Sequence, residues 1–476
     1  MLALLPAARA ARLDTRQLHQ TTSLLPPMHA DAEASVAATD LGPWSLTVGS
    51  QPLCSDALHK GMSTSRLAWD ATNEFAINRT MCMGGNAIFI RIWCSQANLS
   101  SLEPQCPSAA PNETRGLVEL LEQARCRGLS LGLQTELHSS DEGAYSTSLS
   151  RGVWAADIGS SALGQPAFSA SQWEAWGAAW RAQIVPWAAF AAAHNVSLFS
   201  IGAELNSAQT QPSFYEGVVA AARAAYPASA GNLSYAADKG TETSVAWWGS
   251  IDRIGTDPYF QHLGSFTFRS WVGVGVGVVA GLLIGCLGSR WYVHVRRGHA
   301  KAESKAEVGT SSWSTIAACA ACSLVLALAS GAALGFACGL WNTDPDSAAL
   351  AESWAAKTAS LWALARSVGN PILIHEIGFR SLSGTNNNPG VWDTTGEANN
   401  GLQDRLLGTM LNEFCAHDLS EFAGVFVMGL EDDSVNPIGY ELTGKPAIAT
   451  IAAAWGGSAP PACAPDVVAR IESCRQ

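Results

Sequence analysis

FSIGAELNS, residues 199–207, and PILIHEIGFRS, residues 371–381, decide the fold. Each is an apolar run of strand length that closes on a glutamate, Glu204 in the first and Glu376 in the second. Side chains alternate faces along a strand, so Gly202 and Glu204 are expected on one face, as are Ile374 and Glu376, with both carboxylates pointing off the strand ends. Outward from this pair, short β-type runs alternate with stretches of helical period. The strands are expected near 60–64, 86–93, 129–137, 196–203, 233–237, 251–257, 371–375 and 423–428. Helices are expected between most of them, at 114–128, 171–195, 212–226, 347–369 and 398–418. Eight such units predict an α/β chain built as a (β/α)8 TIM barrel, whose working residues sit at the C-terminal ends of the strands. Glu204 and Glu376 then end the fourth and seventh strands, across the mouth from one another.

Length and composition agree with a large folded core. The chain has 476 residues, with 18 Trp and 14 Phe, which excludes disorder as a description of the whole. Its formal charge of −12 and the lack of a long basic stretch exclude nucleic acid as a partner. No G-x-G-x-x-G, P-loop, H-E-x-x-H or zinc-type cysteine spacing is present, so neither a cofactor nor a metal is expected. Charged residues make up only 14%, against about 25% in typical soluble proteins.

Part of that deficit lies in residues 270–289 and 308–343, which carry no charge. The apolar hearts, 270–289 and 315–341, are long enough to cross a bilayer as helices. Glycines recur every fourth residue in each, at Gly273, Gly277, Gly281 and Gly285 and at Gly331, Gly335 and Gly339, a spacing that lets helices approach closely in lipid. The expectation is a two-helix transmembrane hairpin inserted after strand six, in contact with membrane lipid through residues 270–341. Buried core helices, or a mistranslated intron or uncharacteristic exon, are the alternatives. The basic linker between the two segments is expected in the cytosol, and the barrel on the extracellular or lumenal side of the membrane. Five N-x-S/T sequons, at Asn78, Asn98, Asn112, Asn195 and Asn232, and an even eight cysteines outside the apolar segments fit an oxidising compartment and a glycoprotein. The opening apolar run, about five residues, is short for a signal peptide. The expected organisation is a leader at 1–40, barrel at 41–259, insertion at 260–346, barrel at 347–456 and a tail at 457–476.

Two carboxylates facing one another across a barrel mouth suit glycosidic bond cleavage. One is protonated to assist the leaving oxygen and the other attacks the anomeric carbon, roughly 5 to 5.5 Å apart in retaining enzymes. Mutual repulsion helps to keep one of them protonated. Around them, Arg91 is placed to orient the nucleophile, Tyr259 to donate to Glu376, and Asp257 to bind sugar hydroxyls. Trp93, Trp154, Trp247, Trp248 and Trp392 are candidates for stacking on sugar faces, because an aromatic ring matches the apolar face of a pyranose.

The segments GAELNS and HEIGFRS resemble the acid/base and nucleophile segments of glycoside hydrolase family 113, a β-mannanase-type family of the clan A barrels. NAIFIRIWCS is similar to its second strand, GLSLGLQTEL to its third, IDRIGTDPYF to its sixth and GKPAI to its closing helix. The resemblance covers about residues 60–455 apart from the insertion. It implies Glu204 as acid/base and Glu376 as nucleophile of a retaining hydrolase acting on β-linked polysaccharide or oligosaccharide, mannan before glucan. Arg91, Trp93, Glu136, Asp257, Tyr259 and Trp392 are the expected substrate-binding residues. The chain departs from the family at three strands. Gln134, Thr135 and Glu136 stand where Lys-Pro-His is usual, with His138 two residues on. Asp238 and Lys239 replace an Asn-Trp pair, and VFVMGLED on the eighth strand lacks a tryptophan. Those departures leave a second reading, a catalytically inactive carbohydrate-binding membrane protein on a glycosidase scaffold. A multi-span transporter fits poorly with two spans and no ionisable residue inside them.

Overall fold

The computed structural model describes residues 52–149, 151–262, 344–390, 395–429, 436–460 and 462–475. Eight parallel strands close into a barrel in which each neighbours the next in sequence and the last pairs with the first. They are β1 (His59–Thr64), β2 (Ala87–Gln96), β3 (Ser130–Ser139), β4 (Leu198–Ala203), β5 (Asn232–Asp238), β6 (Arg253–Asp257), β7 (Ile372–Ile377) and β8 (Phe422–Val427). All eight lie where the apolar runs place them. A two-stranded hairpin, Tyr145–Ser146 with Arg151–Gly152, decorates the loop after β3. The glycine-striped segments 270–289 and 315–341 lie outside the described residues. Among the described residues no helix is long and apolar enough to cross a membrane.

The bore is filled by Ala87, Phe89, Leu198, Leu373, Ala423 and Phe426, with the rings of Phe89 and Phe426 stacked 4.6 Å apart. Gly132 is required beside them, since a Cβ there would lie 2.2 Å from the Phe89 ring. One layer higher, His375 Nδ1 and Gln134 Oε1 share a hydrogen bond of 2.7 Å. Everything above that layer opens into the mouth.

Helices cover the outside. Helix Ala170–Ala193 starts on a capping box, Ser169 with Gln172, and buries Trp173, Trp176, Trp180, Ile184 and Trp187 at helical spacing. Burying an indole demands a partner for its N–H. Trp176 donates to Gln96 Oε1, Trp180 to the Ile201 carbonyl and Trp187 to the Pro107 carbonyl, at 2.8, 3.2 and 3.0 Å. Between β5 and β6 the described connection holds only two short 3-10 turns, Glu242–Ser244 and Trp248–Ser250, in place of a helix.

Four disulfides pair all eight cysteines outside the apolar segments: Cys54–Cys415, Cys82–Cys463, Cys94–Cys106 and Cys126–Cys474. Three of them join the beginning of the barrel to its end. The last helix, Pro465–Ser473, is held between two of these bonds and buries Val467 and Ile471 against the core.

Candidate active site

Glu204 follows the last residue of β4, and Glu376 is the penultimate residue of β7. Simple alternation does not aim either one. On β7, Leu373 lies in the bore and Ile374 in the shell outside it, so Ile374 does not share a mouth-facing side with Glu376. The ladder with β8 explains the change. Ile374 pairs with Val425 and Ile377 with Val427, leaving one extra residue on β7 at His375-Glu376. On β4, Ser200 pairs with Ser234 but Ala203 with Ala236, again one extra residue. A Cβ on Gly202 would meet Leu205 and the ring of Tyr235, both in the outer shell, so the expected sharing of a face by Gly202 and Glu204 also fails. Each glutamate is therefore turned by a one-residue bulge, a device that re-aims a side chain at a strand end.

Glu376 is gripped from two sides. Arg91, on β2, donates through Nη1 to Oε2, and Tyr259, just past β6, donates to Oε1 at 2.8 Å. Arg91 also lies 3.6 Å from Glu136 Oε2, so the guanidinium bridges strands β3 and β7. Burial opposes the charge of Glu136, but Arg91 and His138 outweigh it and hold its carboxyl below the usual range. His138 Nε2 lies 3.3 Å from Glu136, and its Nδ1 lies 3.1 Å from Glu142. Burial opposes its charge too, yet these two carboxylates push the imidazole up to about 10. Its ring stands 5.2 Å from that of Trp93, which is 53% exposed on the rim.

Glu204 has no such cation on its oxygens among the described contacts. Burial pushes its carboxyl well above the usual carboxylate range, Asp238, Glu376 and Glu136 push the same way, and Lys239 opposes them. Asp238 is itself held by Lys239 Nζ and Asn206 Nδ2, both at 3.1 Å. One carboxyl is thus set to carry a proton, while the other accepts hydrogen bonds on both oxygens.

The family model for Glycoside Hydrolase Family 113 matches residues 63–272, the half of the barrel that contains Arg91, Glu136, Glu204 and Tyr259 and stops short of Glu376. Over that stretch the chain is similar to glycoside hydrolase family 113. A search of curated proteins gave no match. Among solved structures, a GH113 β-1,4-mannanase complex shares 16% identity at a TM-score of 0.54, over 84% of this chain and 99% of that one. The GH113 β-mannanase of Alicyclobacillus acidocaldarius, in complex with ManMIm, shares 15% at 0.55, over 84% and 97%. At these identities the shared property is the barrel fold.

In this family 113-like barrel the structure gathers Arg91, Glu136, Glu204, Asp257, Tyr259 and Glu376 at one mouth, with Trp93 on its rim. Trp247 and Trp248 do not belong there. They are 3% and 1% exposed, and their indoles donate to the carbonyls of Gln209 and Glu242, so they are core. Trp154 is half-buried in the loop after β3, and Trp392 lies outside the described residues. Glu142 and Asn206 join the network without having been expected. Glu142 sits in a turn where no periodicity marks it, and Asn206 acts only through Asp238. No group of residues that could hold a metal ion occurs among the described residues.

Proposed function

We propose that the protein hydrolyses a β-linked polysaccharide of mannan type with retention of configuration. The observation that carries this reading is the contrast between the two glutamates. Glu376 is held by Arg91 and Tyr259 with both oxygens engaged, while Glu204 is pushed towards its protonated form by burial and neighbouring carboxylates. A Glu376 oxygen attacks the anomeric carbon as the Glu204 proton passes to the leaving oxygen. Glu204, now ionised, takes a proton from water, and that water displaces Glu376 from the sugar. Arg91 and Tyr259 keep the attacking carboxylate aligned, and Glu136, through Arg91, keeps the guanidinium in place. Trp93 offers an aromatic face to a sugar at the rim. Mannan is preferred to glucan because the family and the solved relatives named above are β-mannanases.

Glu204→Ala and Glu376→Ala should each lower hydrolysis of β-mannan by several orders of magnitude, with azide or formate partly restoring turnover. A 2-fluoromannosyl substrate should label Glu376 covalently. Unchanged turnover in both variants would remove the assignment. Failure to label or hydrolyse, with oligosaccharide binding retained, would favour the catalytically inactive binding protein, a reading favoured by Asp238-Lys239 at the end of β5. The four disulfides support a place on the extracellular or lumenal side. A tether through residues 270–341 goes with that placement, and its support is the uncharged, glycine-striped sequence.

A further inference from the structure

Five carboxyl groups act on one another at this mouth: Glu136, Glu204, Asp238, Asp257 and Glu376. Four have work in the network already described. Glu376 is bound by Arg91 and Tyr259, Glu136 by Arg91 and His138, Asp238 by Lys239 and Asn206, and Glu204 is the proton carrier. Asp257 is different. It ends β6 opposite Asp238 in the ladder, it is 4% exposed, and its Oδ1 has no hydrogen-bond partner. Its direction follows from the strand. A Cβ on Gly255 would meet His375 Nε2 in the bore, while Thr256 points outward to Glu242. Asp257 therefore faces inward again, one layer above Gly255, which is the level of the mouth.

A buried carboxyl oxygen without a hydrogen-bond partner is costly, because its lost hydration is not replaced. A group retained at such cost in a ligand-binding mouth has its partner in the ligand. We propose that Asp257 is a specificity-determining residue that hydrogen-bonds a hydroxyl of the sugar held between Glu204 and Glu376. The inference rests on the glycoside hydrolase reading of this mouth. Burial, together with Glu204, Glu376, Glu136 and Asp238, pushes the Asp257 carboxyl well above the usual range. A carboxyl shifted in that direction favours its protonated form, which donates one hydrogen bond and accepts another. Among the described residues, Arg91, His138 and Lys239 come to the mouth from β2, β3 and the end of β5, and each of the three is paired to another carboxylate. The carboxyl excess favours a neutral sugar over a uronate.

The test compares wild type, Asp257→Asn and Asp257→Ala for thermal stability, for mannotetraose affinity by calorimetry and for mannotetraose hydrolysis. Asp257→Ala should bind and cleave mannotetraose 10- to 100-fold more weakly, while its melting temperature stays level or rises, because an unsatisfied buried group has gone. Asp257→Asn, which still donates and accepts, should recover most of the loss. A lowered melting temperature with unchanged affinity and turnover would make Asp257 a structural residue and overturn the proposal. If wild type binds mannotetraose without cleaving it and Asp257→Ala abolishes that binding, the hydrolase reading falls and the assignment of Asp257 as a sugar ligand stands.

Discussion

Glu204 is one of two non-glycine residues with a left-handed backbone among those described, at φ 51°. That conformation costs of order 1 kcal/mol or more and persists only where the surroundings hold it. Here Glu204 N donates to the Ala236 carbonyl at 2.8 Å, and the next amide, Leu205 N, donates to the Tyr235 hydroxyl at 2.9 Å. Sequence reading found both glutamates because they stand at the ends of apolar runs. It misjudged which neighbours share their face, because period two fails at a bulge, and bulges leave no mark in residue type. Glu242, buried on the far side of β6, gives a prediction at this scale. Burial pushes its carboxyl from the ordinary 4.5 up to about 7, with the Thr256 hydroxyl opposing. A carboxyl raised in the folded state contributes its full stability below pH 4.5 and loses it as the pH rises through about 7. The loss amounts to about 3 kcal/mol. Glu242→Gln should therefore unfold at the same temperature as wild type at pH 4 and a few degrees higher at pH 8. The same gap at both pH values would show that ionisation is not the cause.

Helix Ala170–Ala193 was legible because its tryptophans recur at helical spacing. The helix between β1 and β2, Ala71–Cys82, was not. Its buried face carries Asn73, Arg79 and Thr80 alongside Ala76, Ile77 and Met81, so polar residues interrupt the apolar period. Asn73 is buried because its amide donates to the carbonyls of Arg66 and Ala68, a contact that only the folded loop reveals. Packing between Ala170–Ala193 and the next long helix, Pro212–Ala225, hinges on Gly177, where a Cβ would lie 2.6 Å from the Phe214 ring. Alanine gains about 1 kcal/mol in helix propensity over glycine, but overpacking typically costs about 1–3 kcal/mol. Gly177→Ala should lower stability in thermal unfolding. Gly217→Ala is the counterpart on the facing helix. Its Cβ would meet only Arg181 Nη1, at 3.2 Å, the free end of a flexible side chain, so this substitution should be neutral or stabilising. Stabilisation by both would show that the helices part easily.

For the whole molecule, the cysteine count announced that disulfides were possible and nothing more. Which cysteines meet depends on barrel closure, which brings residues hundreds of positions apart side by side. The Cys126–Cys474 bond spans 348 positions and fixes the final helix. Cys126→Ala with Cys474→Ala should cost about 2–5 kcal/mol and expose the segment after Cys463 to limited proteolysis. An unchanged digestion pattern would mean that Val467 and Ile471 hold the helix unaided. The three long-range bonds have another consequence. Cys54, Cys82 and Cys126 precede residue 262, and Cys415, Cys463 and Cys474 follow residue 344. A single protease cut anywhere between those two positions would leave two polypeptides riveted at three points. Such a nicked molecule should migrate as one band on a non-reducing gel and as two after reduction, so the barrel can be severed along its chain and remain one covalent object.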